Sequence, residues 1–189
     1  MKKIAALSLF LVSGACLFAQ TLSWDLKFSK GSTQETVPVS RIIPMETGEV
    51  FKITIKPDAD CFGYVVAYDS GRNASILHDA PMKKNIELIL GPAKLTEPKG
   101  TEIIYVIMSL KKQAKLEKLI KAYNANPNSR QNADNLQREI MGLQNTVSGL
   151  GEPASSFIPS GGTARGSGEE YTNRFSDKNI YVRTITIRH

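Results

Sequence analysis

Leu22-Ser23-Trp24-Asp25-Leu26-Lys27-Phe28 alternates large apolar side chains with polar ones. A period of two sends the apolar set to one side of an extended chain, so the stretch predicts a half-buried strand. Phe51, Ile53 and Ile55, interleaved with Lys52, Thr54 and Lys56, repeat the pattern. Residues 62–68 and 103–108 differ: they are apolar at both parities and rich in Val, Ile and Tyr, the texture of central strands covered on both faces. Asp69-Ser70-Gly71-Arg72-Asn73 is a turn cluster, and Ser75-Ile76-Leu77 resumes as a short strand, which predicts a hairpin. Residues 85–90 predict another strand, closed by Gly91-Pro92. The β-favouring stretch from Ile180 to Arg188 predicts a last strand that inserts into the main sheet.

Between these strands the period changes. Leu116, Leu119, Ile120 and Tyr123 fall at spacings of three and four, one stripe of a helix with Ser109 as its cap and Asn124-Ala125-Asn126-Pro127 as its end. Leu136, Ile140, Leu143 and Val147 form a second stripe. Asp134 with Gln137 makes a capping box if that helix begins there, while Asn128 or Ser129 caps an earlier start. A helical hairpin over about residues 110–147 must pack on something, and the strand layer is available. Residues 148–179 hold six of the fourteen glycines with six serines and two prolines, and read as a long flexible loop. The fold class is therefore α+β, a mainly antiparallel β-sheet or sandwich core with an inserted helical hairpin and a long Gly/Ser-rich loop before the last strand. No internal repeat is present.

The first nineteen residues read as an export signal peptide. Lys2 and Lys3 precede an apolar run from Ile4 through Val12, followed by small residues. The run is too short to span a bilayer, which takes roughly 20 apolar residues. Cleavage after Ala19 leaves a soluble chain starting at Gln20, a single β-rich domain over 20–189. Alternatively, Ser13-Gly14-Ala15-Cys16 is a lipobox and Cys16 carries a lipid; Ser13 stands where that motif usually has Leu, and the soluble reading is preferred. With 24 Lys+Arg against 18 Asp+Glu the net charge is +6, and without Lys2 and Lys3 it is +4. So mild a balance argues against a nucleic-acid partner. Cleavage also leaves Cys61 without a cysteine to pair with, and its apolar surroundings make it a small buried hydrophobe.

Gly63-Tyr64, Asp69-Ser70-Gly71, Ile76-Leu77, Gly100-Thr101-Glu102 and Ser109 occur in an order and spacing that resembles the bacterial domain of unknown function 4384 family. The resemblance spans about residues 50–109, roughly a third of the chain, and the Phe-Pro common after the family's short strand is His78-Asp79 here. It implies a non-enzymatic accessory domain of envelope or multidomain proteins, and no activity comes with it. On the residues alone, Gly71 supplies a tight turn, Gly63 marks a bulge or close backbone approach, and Glu102 is expected to bond neighbouring loop amides.

Several patterns point toward chemistry. Asp58, Asp60, Gly63 and Asp69 have the spacing of a calcium loop, but Phe62 replaces an oxygen donor and the segment continues as strand, so the spacing is coincidence. His78 and His189 are the only histidines; one cysteine and one non-terminal histidine do not build a zinc site. His78 with Asp79 and a serine would serve a hydrolase, although polar turn residues explain the pair better. The glycine-rich run 161–168 lacks the lysine and helix of a phosphate loop and reads as linker. Lys111, Lys115 and Lys118, with Lys112 and Lys121 nearby, make one helix face basic, the best candidate interaction surface. The plainer account packs its apolar stripe on the sheet and leaves the lysines in water.

No catalytic set, cofactor or metal ligand set emerges. The leading expectation is an exported, non-enzymatic envelope or periplasmic binding module. Its partner is another envelope protein or an envelope polymer, with the membrane touched only through a lipid anchor or peripherally. The alternatives are a periplasmic hydrolase using His78 and Asp79, and a small-ligand or lipid carrier with an apolar internal pocket on the order of 300 Å³ or more.

Overall fold

In the computed structural model the expected alternation appears as strand β1 (Leu22–Lys30), whose Leu22, Trp24, Leu26 and Phe28 are fully buried. The structure describes residues 21–148, 156–159 and 171–189. The nineteen residues read as an export signal, both cleavage readings, Cys16 and the run 161–168 lie outside the described residues. After β1 come β2 (Glu35–Val37), β3 (Ile43–Pro44), β4 (Val50–Pro57), β5 (Cys61–Tyr68), β6 (Ala74–Met82), β7 (Leu88–Lys94) and β8 (Thr101–Ser109). Helices α1 (Ala114–Ala125) and α2 (Arg130–Ser148) follow, then β9 (Ser156–Pro159), β10 (Tyr171–Asp177) and β11 (Ile180–Arg188).

The strands form two sheets. One has the order β7-β4-β1-β10-β9, with β2 pairing the end of β1 beside β10; the other has the order β3-β11-β8-β5-β6. Almost every pairing is antiparallel, the exception being the short β3 alongside β11. β5 and β8 are inner strands, as their two-faced apolar texture requires, and β11 inserts beside β8 along its whole length.

Side-chain direction then builds three layers. Trp24, Phe28, Ile53 and Ile55 of the first sheet meet Cys61, Val65, Val106 and Ile185 of the second. On the opposite face of the second sheet, Tyr64, Val66, Tyr105 and Ile107 receive Leu116, Ile120, Tyr123, Leu136 and Ile140 from the helices. Tyrosine hydroxyls satisfy the polar groups in this second core. Tyr68 Oη donates to the Ala133 carbonyl at 3.0 Å, and Tyr123 Oη donates to the carbonyl of Ala74. The outer face of the first sheet has no such cover among the described residues.

Some local expectations are corrected. Ser109 does not cap α1: the helix starts after Gln113, and Ser109 Oγ donates to the Lys111 carbonyl at 2.7 Å while accepting from the Gln113 amide at 2.8 Å. Helix α2 begins earlier than the Asp134 capping box. Ser129 Oγ accepts the Asn132 N–H at 3.3 Å, and Asp134 pairs with Arg130 at 3.7 Å one turn back. Residues 84–85 are turn, with Asn85 at φ 60°, and 86–87 are irregular, so β7 starts at Leu88. It then runs through Gly91-Pro92, because Gly91 at φ 104° absorbs the register shift opposite Phe51 and Ile53. The long loop is also interrupted. Residues 156–159 and 171–177 are strands, and β10 pairs with β1 from Leu22↔Asp177 to Leu26↔Asn173.

Candidate functional site

The basic face of the hairpin is less continuous than its spacing suggests. Lys111 precedes the first turn of α1, Lys115 forms an ion pair with Glu139, and Lys118 is exposed. Lys112 pairs with Glu117 at 3.6 Å and lies over the Phe62 ring at 5.7 Å. Tyr64 Oη donates to Glu117 at 3.1 Å and accepts the Gln113 N–H at 3.1 Å; burial, chiefly, pushes its pKa up to about 12. The apolar stripe below is spent on the sheet, so it has no face left for a lipid surface.

His78 and Asp79 lie on a strand, not in a turn, because β6 continues to Met82. A bulge between Val65 and Val66 of β5 leaves Leu77 as the extra residue of β6. His78 therefore stands opposite the inward-facing Val65, and Asp79 opposite the outward-facing Tyr64. Neighbours on a strand point to opposite faces, so Asp79 is not placed to orient the imidazole. Burial holds the His78 pKa below its ordinary value.

The calcium-like spacing is spread along β5 rather than closed into a loop. Asp58 Oδ1 accepts the Ser23 N–H at 2.9 Å, and Asp60 takes the Lys84 N–H at 2.8 Å and the Lys83 ammonium at 2.9 Å. Asp69 accepts the Asn73 N–H at 2.7 Å beyond the other end of the strand, roughly 30 Å from Asp60 at about 3.3 Å per residue.

Glu102 does not bond loop amides as expected. Its carboxylate lies 3.4 Å from Nε2 of His189, a side chain with no exposed surface, and His189 Nδ1 lies 3.3 Å from Thr47 Oγ1. Burial raises the Glu102 pKa against the opposing effect of the imidazole. Backbone bonds between Gly100 and His189 in both directions, at 2.9 and 3.1 Å, fix the pair at the start of β8. A Cβ at Gly100 would lie 2.5 Å from Ser70 Cβ, so the Asp69-Ser70-Gly71 and Gly100-Thr101-Glu102 segments pack directly together.

A groove of about 660 Å³ crosses the outer face of the first sheet. Its floor comes from adjacent strands, with Lys27 opposite Thr54, Ser29 opposite Lys52, and Thr54 opposite Ile89. One wall is the β1–β2 turn carrying Thr33, Gln34 and Glu35. That turn is held by Gly31 at φ 72° and by the Gln34 amide, which donates to the Gly31 carbonyl at 3.1 Å. Glu87 lines the groove as well, so two lysines face two glutamates among hydroxyls and an amide. Such a lining offers many donors and acceptors and little net charge. Sequence reading missed it, because a polar outer face of a strand looks the same whether or not a loop walls it in. The inter-sheet layer, where a carrier would hold its ligand, is filled by Trp24, Phe28 and their neighbours.

Comparison with protein-family models finds no match, and comparisons with curated proteins and with solved structures find none either.

Proposed function

We propose that this chain is an exported, non-enzymatic module of the cell envelope whose groove on the first sheet holds a neutral, hydroxyl-rich envelope polymer. The observation carrying this reading is the lining of that groove: Ser29, Thr33, Thr36 and Thr54 hydroxyls, the Gln34 amide, and two lysines balanced by two glutamates. Polyhydroxylated chains are bound by many such groups acting together, each hydrogen bond worth about 1 kcal/mol net. The three-layer packing supports the same face: the helices occupy the other sheet's outer surface, and among the described residues none covers this one. The signal-like first nineteen residues and the resemblance to envelope accessory domains support an envelope location.

Pelleting with purified insoluble cell-wall polymer tests it. The wild-type chain is depleted from the supernatant. Thr54→Tyr, which puts a ring on the groove floor, loses about tenfold in apparent affinity, the equivalent of one or two hydrogen bonds. Lys118→Ala on the hairpin pellets as wild type does. Equal pelleting of Thr54→Tyr, or no pelleting of the wild type, contradicts the reading.

A further inference from the structure

β11 has an open edge. Gly100 and His189 exchange backbone hydrogen bonds in both directions, and the Leu110 N–H donates to the Asn179 carbonyl at 3.0 Å. Both pairs lie at odd positions of the β11–β8 register, so Tyr181, Arg183, Ile185 and Ile187 spend their backbone groups on β8. The even positions turn theirs the other way, as the Arg188 carbonyl does in accepting the Met45 N–H at 3.0 Å. β3 covers that edge only at Ile187 and Arg188, because the chain just before it is turn and bend at residues 39–41. The N–H and C=O groups of Val182 and Thr184 therefore have no partner strand among the described residues.

A cavity of about 240 Å³ occupies the gap between this edge and the turn. Its lining includes two arginines and no carboxylate. Arg183 is held in place by neutral groups: Nη2 donates to the Val39 carbonyl at 2.7 Å, and the guanidinium carbon lies 5.3 Å from the Phe175 ring centroid. Its Nε is buried without an acceptor, while Nη1 has no partner and keeps contact with solvent. Arg41 is exposed and in no ion pair among the described residues. Gln144 donates to Thr184 Oγ1 at 3.3 Å, which leaves that hydroxyl's proton to donate in turn. Beside these donors stand Val39, Val182 and Ile42, the last 49% exposed.

We infer that this niche binds the carboxylate of a short-chain organic acid, with its carbon chain against Val39, Ile42 and Val182. Arg41 brings a planar fork that matches a carboxylate in shape and charge. Arg183 brings a donor already fixed by Val39 and Phe175, so little ordering is left to binding. The Thr184 N–H is a further donor, one that the β ladder does not use. Inorganic phosphate would meet the same charges but leave the apolar wall empty. The volume lies below the roughly 300–1,000 Å³ of pockets for larger ligands, so the acid is a small one. The niche shares no residue with the groove of the first sheet, so it stands whether or not that groove holds a polymer.

The test is an amide chemical-shift titration of the full chain with butyrate. Saturable shifts are expected at residues 40–42 and 182–186. Butyramide, of the same shape without the charge, binds roughly tenfold or more weakly, and so does inorganic phosphate. Arg41→Gln weakens butyrate binding roughly tenfold, the loss of one charge-assisted hydrogen bond. Arg41 is exposed, so this variant decides the matter even if Arg183→Met, which takes the cation off Phe175, folds poorly. No saturable shift, shifts confined to other segments, or unchanged affinity in Arg41→Gln overturns the assignment. So does butyramide or phosphate bound as tightly as butyrate.

Discussion

Replacing Leu136 with alanine tests how the helical layer is held. Leu136 has no exposed surface and sits in the cluster that joins α2 to Tyr68, Tyr105 and Val182 of the second sheet. The substitution removes three carbon atoms, about 2.4 kcal/mol of transfer free energy at ~0.8 kcal/mol per carbon. The cavity adds to this because tyrosine rings hydrogen-bonded at both ends of the layer cannot collapse inward, giving about 3–4 kcal/mol in total. With a urea dependence of about 2 kcal/mol per molar, the unfolding midpoint falls by roughly 1.5–2 M. Met141→Ala is the matched control: it lies on the same helix and is 48% exposed, and its effect stays within about 0.5 kcal/mol. Urea unfolding followed by circular dichroism and by tyrosine and tryptophan fluorescence reads both variants. If Leu136→Ala shifts the midpoint no more than Met141→Ala does, the helices are not packed on the sheet as described.

Other consequences are local. Gly100→Ala drives a methyl group against Ser70 and costs about 1–3 kcal/mol, and adding Ser70→Gly restores most of it, as thermal unfolding of the single and double variants will show. In a Cys16→Ser background the Cys61 thiol, with its pKa at about 11, reacts slowly with a disulfide reagent at pH 8 until urea unfolds the chain; immediate reaction refutes its burial. Glu102 is held above its ordinary 4.5, so the native state keeps this proton longer than the unfolded state does. Its contribution to stability is fully present below the unfolded pKa and lost as pH rises through the folded one. Glu102→Gln therefore flattens the pH dependence of stability above about pH 4, and an unchanged slope counts against the burial of its carboxyl group.

The parts that repeat with a fixed period were legible in the chain. Trp24, Phe28, Ile53 and Ile55 announce a strand face by alternation alone, and Leu116, Ile120, Leu136 and Ile140 announce the two helices. What pairing decides was not legible. His78-Asp79-Ala80-Pro81 carries little intrinsic strand preference and becomes strand because β5 offers a complete partner. Tyr171–Asp177 is polar along most of its length, and Phe175, opposite Trp24, is its one buried side chain. The candidate sites were harder still. Glu102 meets His189 through a contact between segments distant in sequence. The groove needs four separate segments to exist at all.

The proposed binding face is the groove over β1, β2, β4 and β7. Amide chemical-shift mapping with soluble fragments of cell-wall glycan tests it most directly. Saturable shifts are expected, confined to Lys27, Thr33, Gln34, Lys52, Thr54 and Ile89 and their neighbours. Shifts that cluster instead on the helical hairpin around Lys118 and Lys121, or no saturable shifts at all, would contradict it.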